Sequence, residues 1–200
     1  TLTESIEHTS RSFVRTTAFA RVGIGEREVS FGIKDLLLIG AIAHADVLLV
    51  GRTGSGKSRL AGLVMKALFE SGGYYVKTVL PSMGPGDFLD MKFADMASGT
   101  LQGAKFATAA LTSPGLVVNE ANRAPGMVQS ILIPLLDREF ELEGKPVDVG
   151  VAMASGERYQ FRILTVNEGT DYHVEPFDAA LRDRAVLQIP MDVFPQSEKD

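Results

Sequence analysis

The apolar positions of this chain change period repeatedly, and the changes mark out strands and helices in alternation. Ala45-Asp46-Val47-Leu48-Leu49-Val50 is a nearly unbroken apolar run, the pattern of a strand buried on both faces of a parallel sheet. Leu60, Leu63, Val64, Ala67 and Leu68 then recur at i, i+3, i+4, i+7 and i+8, one face of a helix closed by Gly72-Gly73. Tyr74 to Leu80 is rich in aromatic and β-branched residues and reads as a second strand, Gly115-Leu116-Val117-Val118 as a third. Behind Pro125, the positions Val128, Ile131, Leu132, Leu135 and Leu136 restore the helical stripe, and Pro134 is expected to kink that helix or mark its last turn. Tyr159, Phe161 and Ile163 lead into Leu164-Thr165-Val166-Asn167, a further strand; Phe177 to Asp183 reads as a helix and Ala185 to Pro190 as the last strand. This alternation predicts an α/β fold with a parallel central sheet.

The remaining stretches are less regular. Phe31 to Ala43, dense in Ile33, Leu36, Leu37, Leu38 and Ile39, predicts a buried helix leading to His44, whose expected role is structural. Residues 1–30 scatter Ile6, Phe13, Val14 and Phe19 among polar residues and read as an N-terminal segment lying across the core, the domain proper taking residues 31–200. Glycines and prolines interrupt Pro81 to Pro114, an elaborated connection whose Asp87, Asp90 and Asp95 lack calcium-loop spacing and read as solvated acids. Glu139-Phe140-Glu141-Leu142-Glu143 alternates strictly, turns at Gly144-Lys145 and returns through Val147, Val149 and Val151, a hairpin with one charged face. A second turn follows at Ser155-Gly156.

Composition narrows the classes. With 200 residues, 45% of them hydrophobic, the chain is long enough for one well-buried domain. A net charge of -5 argues against a surface built mainly to grip phosphate backbones, so a nucleic-acid partner is not expected. No apolar run approaches the roughly 20 residues that span a bilayer, so no membrane partner is expected either. The chain has no cysteine, which removes disulfides and thiolate metal sites and fits a reducing compartment such as the cytoplasm. His8, His44 and His173 form no ligand spacing, and neither His-Glu-x-x-His nor Gly-x-Ser-x-Gly occurs.

The chemistry centres on Gly51-Arg52-Thr53-Gly54-Ser55-Gly56-Lys57-Ser58, which fits G-x-x-x-x-G-K-[ST], the phosphate-cradling loop of nucleoside triphosphatases. Gly51 and Gly56 permit a tight turn whose backbone N–H groups point at phosphate oxygens. Lys57 supplies a mobile positive charge, and Ser58 offers its hydroxyl to Mg²⁺ at the start of a helix whose dipole favours the anion. Gly51, Thr53, Gly54, Ser55, Gly56, Lys57, Ser58 and Arg59 form the expected nucleotide-binding set. A strand before the loop and a helix after it supply the context the motif requires.

Two strand ends complete the expected site. At the end of the Gly115 run, Asn119 and Glu120 stand where a metal-orienting group and a catalytic base belong. Glu120 would polarise the attacking water, provided its strand lies beside the loop-bearing strand. Asn167 ends another apolar run, and its neutral amide suits a donor to the γ-phosphate and an acceptor from water. Arg182 and Arg184 end a short helix, where one of them could reach a neighbour's γ-phosphate.

Assembled, these residues resemble an AAA+ ATPase module, most closely of the MoxR-like branch, from about Phe31 to Met191. Asn119-Glu120-Ala121-Asn122-Arg123-Ala124-Pro125 is similar to that family's Asp-Glu-Ile-Asn-Arg-Ala-Pro signature, and Leu80-Pro81-Ser82, Gly169-Thr170 and Leu181-Arg182-Asp183-Arg184 match further segments. The resemblance implies a three-layer αβα core with hairpin insertions, ATP and Mg²⁺ as ligands, Glu120 as base, Asn167 as sensor, Arg184 as the arginine finger and Arg123 at a subunit interface. It further implies a homo-oligomeric ring, commonly a hexamer, that remodels a partner protein often carrying a von Willebrand A domain. Two departures stand out. Asn119 occupies the family's metal-orienting Asp position, and the small helical lid with its second sensor arginine is expected to be missing or truncated. Nucleotide binding with slow or Mg²⁺-demanding hydrolysis follows from the first, and a nucleotide-dependent scaffold is the alternative; a nucleic-acid motor ranks lower. The guanine-reading Asn-Lys-x-Asp is absent, and a small-molecule kinase would leave Asn122-Arg123 unexplained.

Overall fold

The computed structural model describes residues 19–24, 27–69, 73–88, 110–142, 144–168 and 177–191. In chain order the elements are β1 Phe19–Ile24, β2 Arg27–Gly32, α1 Ile33–Ile42, β3 Val47–Gly51, α2 Lys57–Phe69, β4 Tyr74–Thr78, the short α3 Pro85–Phe88 and β5 Gly115–Asn119. A 3-10 turn at Ala121–Arg123 leads to α4 Gly126–Asp137, β6 Phe140–Leu142, β7 Lys145–Val147, β8 Val151–Ala152, β9 Arg158–Tyr159, β10 Phe161–Asn167, α5 Ala179–Arg184 and β11 Leu187–Pro190.

Five of these strands, the apolar runs of the sequence, form one parallel sheet in the order β11-β3-β10-β5-β4. Because side chains alternate along a strand, each run feeds two cores. Val47, Leu49, Val117, Ile163 and Ile189 pack with Ile33, Leu37, Val64 and Met65 of α1 and α2. Leu48, Val50, Leu116, Val118, Leu164 and Val166 face the other way, against Val128, Leu132 and Leu135 of α4 and Leu181 of α5. The fold is therefore a three-layer αβα sandwich around a parallel sheet, as expected.

The sheet order corrects one expectation. β5 does not lie beside β3; β10 runs between them and pairs with both. Burial on both faces gives β3, β5 and β10 the same apolar signature, so periodicity cannot rank them within a sheet. β10 consequently separates Glu120, which follows β5, from the loop-bearing strand.

Differences also appear in the hairpins. The β6–β7 register pairs Leu142 with Lys145, which centres the turn one residue earlier than read, with Gly144 at φ +71°. β7 stops at Val147, and Val151 belongs to a separate hairpin, β8–β9, around Ser155-Gly156. The break falls at Gly150, whose φ is +88° and where any Cβ would run into the Tyr159 carbonyl. Within the N-terminal segment, β1 and β2 form an antiparallel pair, while residues 1–18 lie outside the described residues.

One charged side chain is sealed inside. Arg162 is 1% exposed, its Nε 2.6 Å and its Nη2 2.9 Å from the two carboxylate oxygens of Asp46, and its Nη1 donates to the Leu135 carbonyl. This fork ties the start of β10 to the residue before β3 and to the end of α4. Burial pushes the Asp46 carboxyl up against the downward pull of the guanidinium, and burial lowers Arg162 in turn.

Candidate functional site

The phosphate loop leaves β3 at Gly51 and closes on α2 at Lys57. Gly54 and Gly56, each at φ +84°, take the left-handed conformations; Gly51 instead completes the strand opposite Asn167. The turn freedom assigned to Gly51 thus belongs to Gly54. A Cβ at Gly54 or Gly56 would meet no atom within 4 Å, so both glycines border open space. Lys57 is buried, yet its ammonium reaches back over the loop to the carbonyls of Gly51 at 2.7 Å and Arg52 at 2.6 Å and to Ser55 Oγ at 3.1 Å. Ser58 and Arg59 are exposed on the first turn of α2.

At the same end of the sheet, β10 and β5 deliver their last residues. The β10–β3 register sets Asn167 opposite Gly51. Asn119 and Asn167 are both buried, and Asn119 Oδ1 and Asn167 Nδ2 find no hydrogen-bond partner among the described residues. An unpaired buried acceptor and an unpaired buried donor are costly unless something else satisfies them. Glu120 follows in a left-handed conformation, φ 58° and ψ 41°, uncommon for a residue with a side chain and a mark of local strain. Its N–H donates to Thr165 Oγ1 at 3.0 Å, and its carboxylate meets Arg123 Nε at 3.0 Å.

Arg184 is not part of this cluster. It forks onto Asp137 with both contacts at 2.7 Å, joining the ends of α5 and α4, and Nη1 donates to the Ala180 carbonyl at 3.0 Å. Since only Ala185 and Val186 separate it from β11, whose first residue pairs with Val47, it lies toward the opposite end of the sheet from its own phosphate loop. Arg182 instead approaches Glu168, next to Asn167, at 3.6 Å with both side chains largely exposed.

These features carry a family signature. The sequence profile described as an AAA domain of the dynein-related subfamily matches residues 46–185. The chain belongs to this AAA family. Its AAA fold is also seen in solved structures: a protein from Cytophaga hutchinsonii described as an ATPase aligns at TM-score 0.57 and 18% identity, over 82% of this chain and 46% of that one. NtrX from Brucella abortus in complex with ATP aligns at 0.53 and 18%, over 79% and 34%. A RuvB variant from Thermotoga maritima aligns at 0.51 and 18%, over 82% and 46%. This AAA chain thus spans less than half the length of each. The search of curated proteins gave no match.

Three features of the AAA site were not read from the sequence. Asn122 clamps the backbone of Asn167, Thr165 holds the Glu120 N–H, and Arg123 pairs with Glu120. Asn122 and Arg123 had been singled out only by resemblance. Thr165 sits within an apolar run, where a lone threonine reads as an ordinary strand residue. Among the described residues no cluster of His, Cys, Asp or Glu could hold a metal; Asp87 accepts from the Gly84 N–H at 3.0 Å, while Asp90 and Asp95 lie outside the described residues. No described helix is long and apolar enough to cross a membrane.

Proposed function

We propose that this AAA domain binds ATP with Mg²⁺ at Gly51–Ser58 and hydrolyses it at the subunit interfaces of a homo-oligomeric, six-membered ring, remodelling a partner protein in the manner of MoxR-like ATPases. The observation that carries the reading is the convergence of the phosphate loop, Glu120 and Asn167 at one end of the sheet, with Asn167 opposite Gly51. The open space at Gly54 and Gly56, and Asn167 Nδ2 without a partner among the described residues, suit a polyphosphate that brings oxygen acceptors. Thr53, Ser55 and Arg59 line the phosphate approach.

Each group has a task in this reading. Lys57 exchanges its loop carbonyls for phosphate oxygens, a gain because the new acceptors carry charge. Asn167 Nδ2 donates to the terminal phosphate, and Glu120 orients and polarises the attacking water. Ser58 and Asn119 Oδ1 are the oxygen donors for Mg²⁺, which when bound neutralises charge on the phosphates. Arg184 releases Asp137 and serves a neighbour's site.

The N-terminal segment, residues 1–30, is assigned to packing on the core formed by residues 31–200, and the cytoplasm to the protein's compartment. A client bearing a von Willebrand A domain is the partner class that the MoxR-like resemblance favours. Mass measurement with and without ATP and Mg²⁺ tests the assembly: a ring that forms with nucleotide supports it, and a monomer under all conditions contradicts it. One observation favours a second reading, a nucleotide-dependent scaffold with little turnover: Asn119 presents a neutral amide where a carboxylate would bind Mg²⁺ more strongly.

A further inference from the structure

The ends of β5 and β10 are joined by a set of hydrogen bonds that the hydrolytic scheme does not use. Asn122, 4% exposed on the 3-10 turn after Glu120, makes two bonds with one residue. Its Nδ2 donates to the Asn167 carbonyl at 2.7 Å, and its Oδ1 accepts from the Asn167 N–H at 3.1 Å. A carboxamide offers a donor and an acceptor side by side, which suits both polar groups of a single residue. Two residues earlier, the Glu120 N–H donates to Thr165 Oγ1 at 3.0 Å, and Thr165 is itself 1% exposed. Residues 120 and 122 are thus pinned to residues 165 and 167, across the seam between two strands.

Two of these four, Glu120 and Asn167, are the residues whose side chains the proposed reaction needs. The β-ladder pairs β10 with β5 only as far as Leu164 and Val118, so beyond that point the side-chain bonds replace the missing backbone pairing. They also hold Glu120 in its left-handed conformation, which a free chain end would leave.

We propose that Asn122 and Thr165 are positioning residues that brace the Glu120 turn against the end of β10, so that the base and the phosphate sensor keep one mutual geometry. The inference rests on the hydrolytic reading above. It requires the brace to act on turnover rather than on nucleotide affinity, because neither residue belongs to the phosphate loop.

An aspartate at position 122 separates this role from simple support of the fold. Protonated, it reproduces the donor and acceptor of asparagine; ionised, it sets a negative oxygen against the Asn167 carbonyl. Burial and that carbonyl disfavour the ionised form; of the charges around it, Glu120 pairs with Arg123 on the same turn, and Glu168, next to Asn167, faces Arg182. For Asn122→Asp the expected kcat is near that of the wild type at acidic pH and falls about tenfold or more as pH rises, with KM for ATP little changed. Thr165→Ser, which keeps the hydroxyl, retains turnover, whereas Thr165→Val loses a similar factor. Steady-state phosphate release across pH, with circular dichroism confirming the fold of each variant, reads all of these. If the wild type turns over and the Asn122→Asp profile superimposes on it, or Thr165→Val matches Thr165→Ser, the brace is overturned alone. A wild-type chain that binds ATP and releases no phosphate overturns the hydrolytic reading and the brace together.

Discussion

Asn167, the last residue of β10, lies opposite Gly51, where β3 gives way to the phosphate loop. Its side-chain Nδ2 is buried without a partner among the described residues, at the end of the sheet from which the phosphate loop leaves. Truncation to alanine removes a donor that strengthens as charge develops on the transferred phosphoryl group. Asn167→Ala is expected to lower kcat by about 100-fold while leaving ATP affinity within a few-fold, as losing one such donor does elsewhere. Parallel measurements of ATP binding and phosphate release check the split.

Asn119 offers the sharpest gain-of-function variant. Its Oδ1 is a buried neutral acceptor at the end of β5, and a carboxylate there would hold Mg²⁺ and its waters more firmly. Asn119→Asp is expected to raise the ATPase rate and to lower the Mg²⁺ concentration needed for half-maximal activity. The same charge, buried and unpaired without metal, should lower the melting temperature in chelator. An ATPase rate equal to or below that of the wild type contradicts this account of Asn119.

The Arg162–Asp46 fork is a structural commitment rather than a catalytic one. Removing one partner strands the other charge in the core, at a cost of about 3–5 kcal/mol. Arg162→Ala is therefore expected to lower the urea midpoint severely, and Arg162→Met, which restores apolar volume, combined with Asp46→Asn should recover much of the loss. Chemical denaturation of the wild type and these two variants tests the ordering.

Asp137 gives a pH signature. The hydrogen bond from Arg184 holds its carboxyl below the usual value of 3.8. A depressed folded pKa contributes stability above the unfolded value, and that contribution disappears as pH falls through the folded one. Asp137→Asn should therefore reduce stability at neutral pH slightly and flatten the loss of stability below about pH 4. Because both side chains are about one-third exposed, the difference should shrink in high salt. Melting curves from pH 2.5 to 7 at two salt concentrations report it.

What the sequence disclosed was what local pattern encodes. Val47 to Val50 and Gly115 to Val118 declared buried strands because every residue was apolar, and Gly51 to Ser58 declared its loop because the spacing of glycine, lysine and serine is itself the chemistry. Long-range pairing left no such trace. Asn122 meets Asn167 across 45 positions, and Asp46 meets Arg162 across 116, with nothing in either stretch that names the other. The place of β10 between β3 and β5 was hidden for the same reason. Arg184 illustrates a different gap: its place at the end of a helix was legible, but its fork onto Asp137 depends on where α4 ends.

The central claim is that the loop after β3 and the acid after β5 form one ATP-hydrolysing site. Phosphate release by the assembled wild type, by Lys57→Ala and by Glu120→Gln tests it most directly, with ATP affinity measured alongside. The account predicts ATP binding and release by the wild type, weakened binding for Lys57→Ala, and retained binding without turnover for Glu120→Gln. Turnover in Glu120→Gln equal to that of the wild type, or ATP affinity unaffected by Lys57→Ala, would contradict it.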